Sequence, residues 1–142
     1  MKVVINSCYG GFGLSEKAVV RYLEILGKPV WIEKNKKYGG IGIINYWLLP
    51  PETRVRNRED EWNTMSYDER KEYNRLFAEQ NFYERDIERD DAVLVQVVEE
   101  LDDEANGRFA DLKVVEIPDD VEWQIEEYDG NEWVAEKHRT WS

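Results

Sequence analysis

The sequence predicts a small α+β fold, with one mixed sheet, about three helices and a C-terminal antiparallel hairpin in a single domain over residues 1–142. Three observations carry this reading. A β-branched run, Val3-Val4-Ile5, enters a glycine-rich loop that feeds a helix. Two later segments repeat apolar residues at helical spacing. The last part of the chain changes to a two-residue alternation, broken by the strong hairpin signal Asp129-Gly130.

Taken in order, residues 2–6 form the first strand. Ser15 is the N-cap of a helix that ends near Leu26, where Gly27 stops it, with Ala18, Val19, Tyr22, Leu23 and Leu26 as its buried stripe. Pro29 releases the chain into the strand Val30-Trp31-Ile32. A second glycine-rich loop, Gly39-Gly40-Ile41-Gly42, follows, with lysines on its approach. Residues 43–49 are another strand, stopped by Pro50-Pro51. Residues 50–63 are polar, carry Arg54, Arg56 and Arg58 at alternate positions, and read as a surface loop. Ser66-Tyr67-Asp68-Glu69 is a capping box, so a helix is expected from about 67 to 80 with Tyr73, Leu76 and Phe77 inward. After the polar stretch 81–89, Asp90 or Asp91 caps a third helix through Leu101, with Leu94, Val97, Val98 and Leu101 on one face. Residues 112–117 are β-rich and Pro118-Asp119-Asp120 is a turn. Val121, Trp123 and Ile125 then alternate with Glu122, Gln124 and Glu126 as a half-exposed strand that returns, through the hairpin, into residues 132–136.

Composition bounds the classes of function. A chain of 142 residues buries enough surface to fold without a metal or a disulfide. It has no long apolar run and no signal-peptide pattern, and its single cysteine, Cys8, suits a reducing compartment. A cytoplasmic protein with no membrane partner is expected. Net charge is −12, unevenly spread: residues 1–58 hold ten Lys/Arg against four Asp/Glu, and residues 59–142 hold nine against 27. Such an acidic surface repels phosphates, so direct nucleic-acid binding is not expected.

The first glycine loop is the leading candidate site. Glycines at a strand-to-helix junction allow close backbone approach, and a helix N-terminus favours an anion. The spacing Gly10-Gly11-x-Gly13 matches neither GxGxxG nor the Walker loop, so a tight turn chosen for geometry stands beside the ligand reading. On the ligand reading Asn6, Gly10, Gly11, Gly13 and Ser15 supply donors, Tyr9 or Phe12 a stacking face, and Lys34, Lys36, Lys37 or Arg54 counter-charge. Cys8 at a strand end, or His138 with Glu136, are the candidate catalytic groups; a buried structural cysteine is the alternative for the first. One histidine among scattered carboxylates has no ligand spacing, so no metal and no cofactor are expected. Trp31, Trp47, Trp123 and Trp133 fall within strands and are expected in the core or a sheet-face pocket.

Two blocks resemble a family of small uncharacterised proteins of tailed bacteriophages of Gram-positive hosts. One is Lys2-Val3-Val4-Ile5-Asn6-Ser7-Cys8-Tyr9-Gly10-Gly11-Phe12-Gly13-Leu14-Ser15. The other is Leu112-Lys113-Val114-Val115-Glu116-Ile117-Pro118-Asp119-Asp120, continuing through Trp123-Gln124-Ile125-Glu126-Glu127-Tyr128-Asp129-Gly130 to Glu136-Lys137-His138-Arg139-Thr140-Trp141. The resemblance implies a non-structural accessory protein of the host bacterial cytoplasm, of the kind that counters host defence. Three functions follow as expectations. The first is a protein that binds a small anionic, nucleotide-like ligand without turnover and so sequesters a defence signal. The second is an acidic interaction protein whose residues 84–136 imitate nucleic acid and occlude a host defence protein. The third is a Cys- or His-dependent enzyme acting on a nucleotide derivative. A homo-oligomer is compatible with the aromatic load.

Overall fold

The computed structural model describes residues 1–35 and 43–137. Its elements are β1 (Lys2–Asn6), α1 (Glu16–Ile25), β2 (Trp31–Asn35), β3 (Ile43–Trp47), α2 (Tyr67–Gln80), β4 (Asn81–Phe82), α3 (Ala92–Leu101), β5 (Leu112–Glu116), β6 (Trp123–Tyr128) and β7 (Asn131–Glu136). Short 3-10 turns occupy Pro51–Thr53, Glu59–Thr64, Glu84–Asp86 and Asp102–Ala105. The fold is α+β with the C-terminal hairpin. The helices begin where local chemistry places them. Ser15 accepts from the Ala18 N–H, Ser66 and Glu69 close a reciprocal capping box, and Asp91 accepts from the Val93 and Leu94 N–H groups.

The expected single mixed sheet is replaced, among the described residues, by three antiparallel ones: β1–β5, β2–β3–β4 and β6–β7. The edges of β1 explain why no mixed sheet grows from it. One edge pairs with β5, Val3 facing Val115 and Asn6 facing Leu112. On the other, the Val4 N–H donates to the Arg89 carbonyl (2.8 Å) and the Asn6 N–H to the Glu132 carboxylate (2.8 Å), so these two donors are already taken and do not bind a further strand.

By contacts, the chain falls into two compact units, Met1–Gly27 with Glu84–Ser142, and Lys28–Tyr83. In the first, Val3, Val4 and Ile5 are buried in succession, as in a strand covered on both faces. The apolar stripes of α1 (Ala18, Val19, Leu23) and α3 (Leu94, Val97, Val98) complete this core. Tyr22 donates its hydroxyl to the capping residue Asp91 (3.0 Å), and burial, then that bond and charge, push its pKa up to about 12.

In the second unit β3 lies between β2 and β4. Trp47 is buried and meets Phe77 of α2 edge-on, ring centroids 5.2 Å apart. Of the strand tryptophans, Trp31 and Trp123 are half-buried, whereas Trp133 is 44 % exposed and donates its indole N–H to Glu126 (3.2 Å). The expectation of an inward Trp133 is thereby corrected: it stands on the hairpin's solvent face. No helix among the described residues is long and apolar enough to cross a membrane.

Candidate functional site

The glycine loop between β1 and α1 is held by the protein itself. Asn6 is fully buried; its amide donates to the Cys8 carbonyl (2.9 Å) and the Gly130 carbonyl (2.7 Å), and its oxygen accepts from the Asp111 N–H (2.8 Å). The Gly10 N–H donates to the Asp129 carbonyl, and the Gly107 N–H to the Gly13 carbonyl (2.9 Å). Gly10 and Gly11 take positive φ, and the backbones meet so closely that a Cβ on Gly130 would collide with the nitrogens of both. A Cβ on Gly107 would lie 2.7 Å from the Gly13 carbonyl carbon.

The anionic partner at the start of α1 is internal as well. The Leu14 N–H donates to the Glu84 carboxylate (2.8 Å), and burial holds the Glu84 carboxyl above its ordinary range. Ser15 Oγ caps Ala18 and donates to the Glu104 carbonyl (2.6 Å). Phe12 carries the Arg89 guanidinium 3.6 Å above its ring, and Arg89 makes a two-pronged pair with Glu132 (2.6 and 2.9 Å). Tyr9 remains 65 % exposed. The half-buried Cys8 thiol has oxygen neighbours, the Phe109 carbonyl at 3.2 Å and Asn6 Oδ1 at 3.4 Å. Glu136 lies exposed at the end of β7, facing Trp123. Lys34 and Arg54 belong to the second unit. Lys36, Lys37, His138 and the second glycine loop, Gly39-Gly40-Gly42, lie outside the described residues. The structure thus brings Asn6, Gly10, Gly11, Phe12, Gly13 and Ser15 together as a packed junction.

A cleft lies in the second unit. It encloses about 400 Å³, within the roughly 300–1,000 Å³ that small-molecule sites occupy. Glu33 of β2 and Asn45 and Trp47 of β3 line it from one sheet face, because the register sets Glu33 opposite Asn45 and Trp31 opposite Trp47. Tyr73 and Phe77, one helical turn apart on α2, form the facing wall. Arg54, Val55, Arg56 and Asn57 close the rim. A second lobe of about 480 Å³ continues past Tyr73 and Phe77 to Trp62 and Asn74.

Packing fixes the cleft's polar groups. Arg54 is 13 % exposed, stacks 4.6 Å from the Trp47 ring centroid, donates Nε–H to the Leu49 carbonyl (3.0 Å) and stands 4.0 Å from Glu33. Val55 is held by its N–H on Gln80 (2.7 Å). Arg56 is exposed and paired with Glu61 (2.8 Å), a bond that lowers the Glu61 carboxyl and raises Arg56. The indole N–H of the buried Trp47 has no hydrogen-bond partner among the described residues. A larger, more open depression of about 670 Å³ between β1 and α3 is lined by Asp90, Glu99 and Glu100, and its Lys2 is bound to Glu99 (2.9 Å), which does not suit an anion.

The sequence offers Arg54 as a ligand group and sets Tyr73 and Phe77 inward, with no local pattern that joins them. The signal was the run of alternating arginines ahead of a helix with aromatics four residues apart. What was missing was the sheet face that Trp47 and Asn45 share. No protein-family model, curated protein or solved structure matches the chain.

Proposed function

We propose that the protein binds a small, flat, anionic ligand of nucleotide type in the cleft of the Lys28–Tyr83 unit and holds it without turnover. The observation that carries this reading is the combination lining the cleft: Tyr73 and Phe77 as aromatic surface, Arg54 pre-oriented on Trp47, and the amides of Asn45 and Asn57. Aromatic rings take the face of a base, amides read its edge, and a guanidinium matches a phosphate. That the ligand is a host defence signal, removed by being held, rests on the resemblance to phage accessory proteins.

The test is a thermal titration against mononucleotides, NAD, ADP-ribose and cyclic dinucleotides. A ligand at 100 times its Kd adds about 2.7 kcal/mol to the stability of the form that binds it, a rise of roughly 5–10 °C. The expected result is a selective rise that Tyr73→Ala with Arg56→Ala reduces to less than half. No rise across the panel, or one that survives both substitutions, contradicts the reading.

A further inference from the structure

A second surface, on the acidic unit, has a different chemistry. Three chain tips converge there: residues 8–11, 107–110 and 128–130. The Gly10 N–H reaches Asp129, a Cβ on Gly10 would stand 2.9 Å from Phe109 Cβ, and Gly130 packs on the Gly10-Gly11 backbone. Each tip displays an aromatic ring to solvent: Tyr9 is 65 %, Phe109 65 % and Tyr128 71 % exposed. The junction beneath them is tied by the buried Asn6 and the Arg89–Glu132 pair, contacts that lower the backbone ordering needed on binding. The carboxylate of Asp129 stands on the third tip, and Asp111 and Glu127 directly adjoin the second and third. The whole unit, Met1–Gly27 with Glu84–Ser142, holds 22 Asp/Glu against nine Lys/Arg.

We infer that this surface docks an arginine-rich segment of a basic protein partner. Charge complementarity commits it to a cationic occupant, and the aromatic tips select arginine over lysine, because a planar guanidinium stacks on a ring as an ammonium does not. The same junction already uses this contact internally: Arg89 lies over Phe12 at 3.6 Å, and Arg108 lies 5.2 Å from the Phe109 ring centroid. Such a surface gives the acidic unit a way to cover a basic site on another protein, independently of what the cleft holds.

The experiment measures binding of a fluorescent oligo-arginine peptide, and of an oligo-lysine peptide of equal length, by anisotropy. The proteins are wild type and the triple variant Tyr9→Ala/Phe109→Ala/Tyr128→Ala, each checked for an unchanged melting temperature. All three side chains are exposed, and alanine keeps the Phe109 Cβ that faces Gly10. Wild type is expected to prefer the arginine peptide several-fold, and the variant to lose about tenfold in affinity for it while its lysine-peptide affinity stays put. Equal binding of the arginine peptide by both proteins reduces the attraction to bulk charge and overturns the inference, as does a wild type that takes both peptides alike.

Discussion

Arg89 and Glu132 sit at the crossing of three parts of the first unit. Glu132, 10 % exposed, accepts from the β1 edge at Asn6 and from both arms of Arg89, while Arg89 also covers Phe12. Removing one member leaves the other charge half-buried without its partner. Glu132→Ala is therefore expected to cost about 3 kcal/mol in chemical denaturation, well above an exposed pair such as Arg75–Glu79. Glu84 makes the opposite kind of prediction. Its carboxyl is raised in the fold by burial, so the native state keeps that proton longer than the unfolded chain does. The stability Glu84 contributes is greatest below the ordinary carboxyl range and falls as pH rises through the raised value. Glu84→Gln keeps an acceptor for the Leu14 N–H and removes the charge, so at neutral pH its melting temperature should equal or exceed wild type; a clear drop contradicts this account of the site. None of these partnerships was legible in the sequence. Asn6 and Gly130 are 124 positions apart, Arg89 and Glu132 are 43 apart, and a local pattern carries no sign of either contact.

Elements were more legible than contacts because their signals are local. The three helices among the described residues begin at Ser15, at Ser66 and, of the pair Asp90 and Asp91 that the sequence offers, at Asp91, and the hairpin turns at Asp129-Gly130. Outside the hairpin, strand partners were not legible: antiparallel pairing of β1 with β5 joins residues more than a hundred positions apart and leaves no local trace. β4, two residues long, exists only because Phe82 and Asn81 pair with Tyr46 and Trp47. The segment 50–63, read as an irregular loop, contains two 3-10 turns whose side chains wall the cleft. The glycine loop invites a direct test of packing against ligand binding. Gly27 and Gly130 both have positive φ, but a Cβ on Gly27 meets nothing within 4 Å among the described residues, while one on Gly130 strikes the loop backbone. Gly27→Ala should cost about 1 kcal/mol from backbone strain alone, and Gly130→Ala distinctly more, in urea melts. Equal costs would mean that hairpin and loop do not depend on their close approach.

At the scale of the molecule, the two units differ in charge, although less sharply than the two parts of the chain on either side of residue 58. Lys28–Tyr83 holds ten Lys/Arg and nine Asp/Glu, so the other unit, with nine against 22, carries all of the net negative charge. The division at residue 58 that composition suggests falls inside the second unit, because the sequence does not mark where the chain leaves at Gly27 and returns at Glu84. A near-neutral body with an arginine-and-aromatic cleft and an acidic body with aromatic tips are suited to different partners. Trp47 reports on the cleft directly, because it is buried in the cleft's wall. The decisive measurement follows the indole N–H signals of the ¹⁵N-labelled protein by NMR as ADP-ribose, NAD and cyclic dinucleotides are added, with Trp47 assigned through Trp47→Phe. The account predicts that a binding nucleotide moves the Trp47 signal, and the Trp62 signal of the adjoining lobe, while Trp123 and Trp133 stay in place. Signals that never move, or movement confined to Trp123 and Trp133, would contradict it.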